Sequence, residues 1–211
     1  MENTQSTSVY LYIKRGLDVL LCLLALLVLW PLLLVLTLLV RRDGGPALYA
    51  QTRVGRGGHT FSLYKFRTMK PGADRLENFL TPEQIERYRR EYKLDPDPRI
   101  TRLGHFLRKS SLDELPQLFN ILRGDMSIVG PRPLQVPELA VNYTPEEQKR
   151  LLSVRPGLTG YWQASSRNES TYSTGERQRR ELYYIGRTTF WMDVKIVFMT
   201  VRRVVSGKGA V

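Results

Sequence analysis

Cysteine is nearly absent from this chain, which has one, Cys22. A single thiol excludes an internal disulfide framework, and its place inside an apolar run marks it as a packing residue. Histidine is scarce as well: His59 and His105 stand far apart without cysteine neighbours, so the sequence offers no zinc site. No internal repeat or long low-complexity stretch is present. Acidic residues are outnumbered, 20 Asp and Glu against 32 Lys and Arg, which gives a formal net charge of +12. So basic a surface suits polyanions, whether nucleic acid, anionic lipid or phosphate-bearing substrate. The 211 residues suffice for one domain with its own core.

Apolar length is concentrated in one place. From Val19 to Val40 the sequence reads VLLCLLALLVLWPLLLVLTLLV, with no charge. At a rise of 1.5 Å per residue this run reaches roughly 33 Å, enough to cross a bilayer core. It is too long for a signal-peptide core and no small-residue cleavage site follows. Lys14 and Arg15 precede it and Arg41 and Arg42 follow it, so the rule that positive charge stays inside gives a simple span no orientation. Pro31, preceded by Trp30, removes a backbone hydrogen bond near the middle, where a broken helix could return to the face it came from. The residues alone leave a single span and a re-entrant helix both open. Asp18, one turn after Lys14, fits a helical ion pair at the membrane boundary.

Beyond the run, Arg42 to Pro46 (RDGGP) is a loop by composition, which places a boundary between residues 1–42, the membrane segment, and 43–211. Ala47 to Arg53 and Thr60 to Phe66 are expected to be strands of a hairpin joined by Val54 to Gly58. That glycine cluster lacks the Gly-Lys-Ser/Thr ending of a phosphate loop. Thr81 to Lys93 opens with an N-cap threonine, Pro82 and Glu83 and should be a charged helix, ended by Asp95 to Pro98. Phe190 to Val205 (FWMDVKIVFMTVRRVV) gathers aromatic, Met and Val residues around Lys195, Arg202 and Arg203. A helix of this kind either lies in a membrane interface or packs as an ordinary amphipathic helix, and the basic charge favours the interface.

The densest chemical signal is Ser111-Leu-Asp-Glu114 followed by LPQLFNIL. Ser111 and Glu114 fit a capping box at a helix start, which is a purely structural task. The same geometry would keep Asp113 ionised as a nucleophile and draw a substrate phosphate to it. Asp113 and Glu114 side by side could also share a hard cation such as Mg²⁺. Arg108 and Lys109 stand just upstream. Further on, Pro131 and Pro133 stiffen the backbone around Arg132, whose guanidinium then suits a phosphate, or simply a rigid turn. Lys65 and Arg67 in YKFRTM share one strand face, and Ser165 to Asn168 brings Arg167 into a polar turn.

Taken together, KRGLDVLL with its proline-interrupted run, YKFRTM, RKSSLDELPQLFNILRGDMSIVGPRP, VRPGLTGYWQ and ELYYIGRTTFWMDVKIV resemble the bacterial sugar transferase family, the monotopic polyprenyl-phosphate phosphoglycosyltransferases. The resemblance spans nearly the whole chain in the family's order. It implies an α+β, mostly helical fold with a re-entrant membrane helix broken at Pro31, a small β-hairpin and a cytoplasmic catalytic domain with interfacial amphipathic helices. It implies transfer of a phospho-sugar from a UDP-sugar to a polyprenyl phosphate, undecaprenyl phosphate being the expected carrier. UMP would be released and an aspartyl phospho-sugar formed on Asp113. Glu114 would assist with magnesium or protons, Arg132 would bind the nucleotide or its phosphates, and Arg108, Lys65, Arg67 and Arg167 would line the substrate path. The implied setting is the cytoplasmic face of the bacterial inner membrane, in glycoconjugate and polysaccharide biosynthesis, with membrane lipids and not nucleic acid as partners; homo-oligomer formation is left open. Three positions depart from the family pattern: Trp30 where serine is common, Ser166 where glycine is frequent and Glu181 where aspartate is usual. The sequence lacks the multi-span extension of larger members and so resembles the minimal type. A basic membrane-tethered nucleic-acid binder and a non-catalytic scaffold are the competing readings, but no nucleic-acid motif supports the first.

Overall fold

The computed structural model describes residues 3–91, 94, 96–166, 172 and 174–206. Its first element is also its longest, α1 (Asn3–Arg41), 39 residues with Pro31 inside. The interruption expected at Pro31 does not appear in the helical run. Among aliphatic side chains the backbone has no better partner than itself, and apolar surroundings tolerate proline within a helix. The stretch Tyr10–Arg41 is the one helix among the described residues that is long and apolar enough to cross a membrane.

One stripe of α1 is buried and the opposite one is not. Asp18, Cys22, Leu36 and Val40 are buried, at the spacing of a helix face. Cys22, Ala25 and Leu26 pack with Leu63, Leu118, Ile121 and Met126. Beyond Pro31, Leu32, Leu33, Leu36 and Val40 pack with Phe66, Leu107, Leu112 and Leu115. The other stripe leaves Leu27 71%, Val28 74% and Trp30 59% exposed, an apolar surface with nothing on it.

Both ends of α1 are tied to the same body. Near its start Arg15 donates to the carbonyls of Ile121 (2.6 Å) and Leu122 (3.0 Å), and Asp18 accepts from the Ile128 amide at 3.0 Å. Asp18 therefore does not pair with Lys14 as expected. Lys14 reaches Asp193, which also accepts from Tyr10 and Tyr184, while the buried Asp18 carboxylate is turned to the Ile128 amide. At the far end the Val40 carbonyl accepts from Arg67 at 2.8 Å.

The hairpin forms as expected: β1 (Leu48–Val54) and β2 (Thr60–Phe66) are antiparallel, with Leu48 opposite Phe66 and Val54 opposite Thr60. After α2 (Pro82–Glu91), which Thr81 and Gln84 cap reciprocally, come α3 (Arg102–Ser110) and α4 (Gln117–Arg123). Lys93, expected as the last residue of α2, and Asp95, expected to open the turn after it, lie outside the described residues.

A second, parallel pair escaped the sequence reading. β3 (Ser127–Val129) and β4 (Gly157–Thr159) pair with Ser127 opposite Gly157 and Val129 opposite Thr159. Their connection holds α5 (Val136–Asn142) and α6 (Pro145–Leu151), as parallel strands require a crossover. The close approach depends on glycine: a Cβ on Gly130 would stand 2.4 Å from the Arg155 carbonyl oxygen. The chain ends with α7 (Tyr161–Ser166), α8 (Glu176–Ile185) and α9 (Phe190–Val205). α9 buries Asp193 and Ile196 but exposes Trp191, Val194, Phe198, Val201 and Val204, a second uncovered apolar face with the exposed Arg202 beside it.

Candidate active site

Asp113 and Glu114 sit on a corner between two helices. α3 stops at Ser110, and Ser111 takes φ 57°, the single positive φ of a non-glycine among the described residues. A left-handed serine is uncommon, and such backbone persists where neighbours fix it. The Ser111 amide closes α3 onto the Arg108 carbonyl, and its side chain makes no cap bond. Leu112–Glu114 then form a 3₁₀ turn, and α4 begins only at Gln117. The expected capping box at a helix start is thus corrected. The sequence holds helix on both sides of this motif, so Ser111 ends one helix instead of starting another.

Packing fixes which way the acids point. Leu112 and Leu115 are anchored against Leu107 and Leu36 of α1, which leaves the two residues between them to face away from that cluster. Asn120, fully buried, holds the rest in register. Its Oδ1 accepts from the Tyr64 amide at 3.0 Å and its Nδ2 donates to the Ser62 carbonyl at 2.7 Å, which ties α4 to β2. β2 consequently presents Lys65 to Glu114, with Nζ to Oε1 at 2.7 Å and both side chains partly open to solvent.

Asp113 itself is 8% exposed. A carboxylate so placed is tolerable where opposite charge or donors reach it. Arg108 supplies opposite charge: burial lowers its pKa, while the charges of Asp113 and Asp97 push back upward. The Arg108 Nε donates to Thr68 Oγ1 at 3.0 Å, which aims the guanidinium across the corner. Gly104 lets α3 lie this close, since a Cβ there would fall 1.9 Å from the Thr68 carbonyl oxygen.

The structure therefore brings together Asp113, Glu114, Lys65 and Arg108. It does not bring in Arg67. All five N–H groups of that guanidinium are engaged, by both Asp43 oxygens and by the carbonyls of Val40, Pro46 and Met69. Expected as a substrate contact, Arg67 instead latches the end of α1 to the hairpin. It sits at the strand's end, where loop carbonyls outnumber other acceptors.

Arg132 stands in a second cluster. Its amide donates to both Glu181 oxygens, at 3.2 and 3.3 Å, and its charge is felt by Glu138. Pro131 and Pro133 are buried and act through their carbonyls, which accept from the Gly157 amide (2.8 Å) and from Arg53 (3.2 Å). Arg177 pairs with Glu138 at 3.0 Å between the rings of Trp162 and Tyr172. Burial pushes the Glu181 carboxyl up to about 7 against the pull of Arg177 and Arg132. Arg167 lies outside the described residues. Trp30 and Pro31 are exposed at the middle of the uncovered stripe of α1.

Sequence reasoning missed Asn120, Thr68 and the Glu138–Arg177 pair. Asn120 alone carried a usable signal, a polar residue at a core position of LPQLFNIL.

As to metal, no group of three His, Cys, Asp or Glu gathers among the described residues. Two adjacent carboxylates do not make a closed protein cage. They do fit Mg²⁺, which binds through one or two carboxylates while water and substrate phosphates fill its other positions.

The family model described as bacterial sugar transferase matches residues 9–207. The exopolysaccharide production protein ExoY of Sinorhizobium fredii is 46% identical over 201 residues, covering 93% of this chain and 87% of that one. The undecaprenyl-phosphate galactose phosphotransferase of Salmonella typhimurium is 43% identical over 202 residues, 94% of this chain but 42% of its own length. An uncharacterized sugar transferase of Haemophilus influenzae is likewise 43% identical, again over 42% of its length. The chain thus spans less than half of several curated relatives that it matches. A match running from the second turn of α1 to the end of α9, with the Asp113 corner inside it, makes this chain a member of the bacterial sugar transferase family.

Proposed function

We propose that the chain transfers a phospho-sugar from a UDP-sugar to a polyprenyl phosphate, with undecaprenyl phosphate as carrier, and releases UMP. The observation that carries this reading is the corner itself: Asp113 between a half-buried arginine, Arg108, and a Lys65–Glu114 pair, on a body whose α1 and α9 each expose an apolar face. Relatives named for undecaprenyl-phosphate sugar transfer support it.

In the first step an Asp113 carboxylate oxygen attacks the β-phosphorus of the UDP-sugar. The bond from that phosphorus to the bridging oxygen breaks, and UMP leaves with the electron pair. In the second step a polyprenyl phosphate oxygen attacks the same phosphorus, a lipid diphosphosugar forms and the carboxylate is freed. Arg108 and Lys65 offset charge that builds on the phosphoryl oxygens. Glu114, held by Lys65, is oriented beside the nucleophile. Mg²⁺, held by Asp113 and Glu114 together with the diphosphate, would supply charge neutralisation. Arg132 serves the nucleotide from the second cluster.

We read α1 as re-entrant, bending at Pro31 with its helical run kept and dipping into one leaflet with residues 1–42, while residues 43–211 lie on the cytoplasmic face of the inner membrane. What supports this is that contacts on both sides of Pro31 are made with the same body.

Asp113→Asn is expected to abolish transfer while folding is kept. Intact mass spectrometry after exposure to a UDP-sugar should find a phospho-sugar adduct on the wild type alone; undiminished turnover by the variant ends the nucleophile assignment. For topology, Tyr12→Cys and Arg42→Cys should both be labelled from the cytoplasmic side, with the buried Cys22 silent. Labelling from opposite sides would restore a simple span.

A further inference from the structure

A cavity of about 30 Å³ opens at the far end of α4 from Asp113, with Lys14, Arg15, Asp18, Arg56, Ser127 and Arg155 in its wall. Four cations and one carboxylate share this small space. Lys14 is answered by Asp193. The guanidiniums are not: Arg15 donates to the Ile121 and Leu122 carbonyls and Arg155 to that of Gly124 at 2.9 Å. Among the described residues, neither these two nor Arg56 has an ion pair. Burial, and then the charges of Arg15 and Arg56, pull Arg155 below its ordinary pKa against the opposing charge of Asp18.

A second observation points into the same space. Ser127 is 1% exposed and its Oγ has no hydrogen-bond partner. A buried hydroxyl left unmet is costly, so an acceptor belongs opposite it. The cavity has room for about two oxygen-sized groups. That suits the non-bridging oxygens of a phosphodiester, with its ester arms at the mouth beside exposed Arg56.

Position selects the source of that phosphate. Within one turn of Asp18, Leu20 and Leu21 lie on the uncovered side of α1. Asp193, which holds Lys14, is followed by exposed Val194, Val197 and Phe198 on α9. The cavity sits where both uncovered apolar faces start, at headgroup depth if those faces meet lipid.

We propose that Arg15, Arg56, Arg155 and Ser127 form a phosphate site for the headgroup of an anionic phospholipid, separate from the Asp113 corner. Arginine suits a phosphodiester because its fork binds two oxygens at once. The site shares with the proposed function only the premise that α1 enters a bilayer. It anchors the first basic turn of α1 to a lipid that is not a substrate.

The test uses the full chain in nanodiscs of phosphatidylcholine mixed with phosphatidylglycerol, with retained lipid counted by native mass spectrometry. Wild type should keep phosphatidylglycerol in preference. Arg56→Gln and Arg155→Gln should each lower that preference about five-fold. Arg155→Lys should keep only part of it, since an ammonium cannot take two oxygens at once, and Arg89→Gln, on α2 outside the cavity, should leave it unchanged. Arg56 makes no described hydrogen bond or ion pair, so its loss should not unfold the protein. Equal phosphatidylglycerol retention in wild type and in both Gln variants overturns the proposal. Displacement of the lipid by inorganic phosphate alone would overturn its lipid assignment. Asp113→Asn should retain lipid as wild type does, so failure of the transfer chemistry and failure of this site remain distinguishable.

Discussion

Replacing Glu181 by Gln should remove a pH dependence of stability that the buried second cluster imposes. Glu181 is 1% exposed, and the Arg132 amide donates to its carboxyl. The charged groups around it are Arg177 on the same helix, Arg132 from the loop after β3, Glu138 from α5 and the Tyr143 hydroxyl. Burial outweighs the two arginines and raises the carboxyl from 4.5 to about 7. The folded state therefore holds this proton to a higher pH than the unfolded chain does. The associated stability is complete below pH 4.5 and is lost as pH rises to about 7. At about 1.4 kcal/mol per pH unit, the loss amounts to about 3 kcal/mol. Gln keeps the shape and the acceptor for the Arg132 amide but cannot ionise. In urea unfolding in detergent micelles, followed by tryptophan fluorescence, the wild type should weaken across that window more steeply than the variant. Above neutrality the variant should be the more stable of the two. Parallel stability curves, or a variant weaker than wild type at pH 8, would refute the reasoning.

Other outcomes follow from the same contacts. Lys65→Met should cut transfer at least ten-fold with an almost unchanged unfolding midpoint, because it takes the Lys65 cation away from the Asp113 corner but removes little buried structure. Arg67→Met should do the reverse, lowering the stability by roughly 2–4 kcal/mol, since Asp43 and three carbonyls lose their donor; circular dichroism melts beside UMP-release rates separate the two cases. Gly130→Ala should cost about 3 kcal/mol or more, since its Cβ would meet backbone of the paired strand at 2.4 and 2.7 Å, and the measure is the same urea titration.

Much of the fold was legible because local rules govern it. The hairpin followed from alternation between glycine-rich turns, and α2 from Thr81, Pro82 and the charged run after them. α9 has the bounds expected from its composition, Phe190 to Val205. What stayed hidden depends on contacts distant in sequence. β3 and β4 are three residues each and recognise one another only across α5 and α6. Lys14 found Asp193, 179 positions away, in preference to Asp18 one turn on. At the site, the acidic pair and Lys65 could be named from the motif. That Ser111 ends a helix could not, because a left-handed serine has no sequence signature. Nor could Arg67's task be read, since its partners are mostly backbone carbonyls.

A helix stapled to its body at both ends has an order of assembly written into it. Once Arg67 has closed on Asp43 and the Val40 carbonyl, and Arg15 on the end of α4, the chain between them can no longer be threaded into lipid as a free end. On the proposed reading, in which α1 lies in lipid, the apolar segment enters the bilayer before the hairpin that carries its latch closes on it, and unfolding of the polar body is the step that would release it.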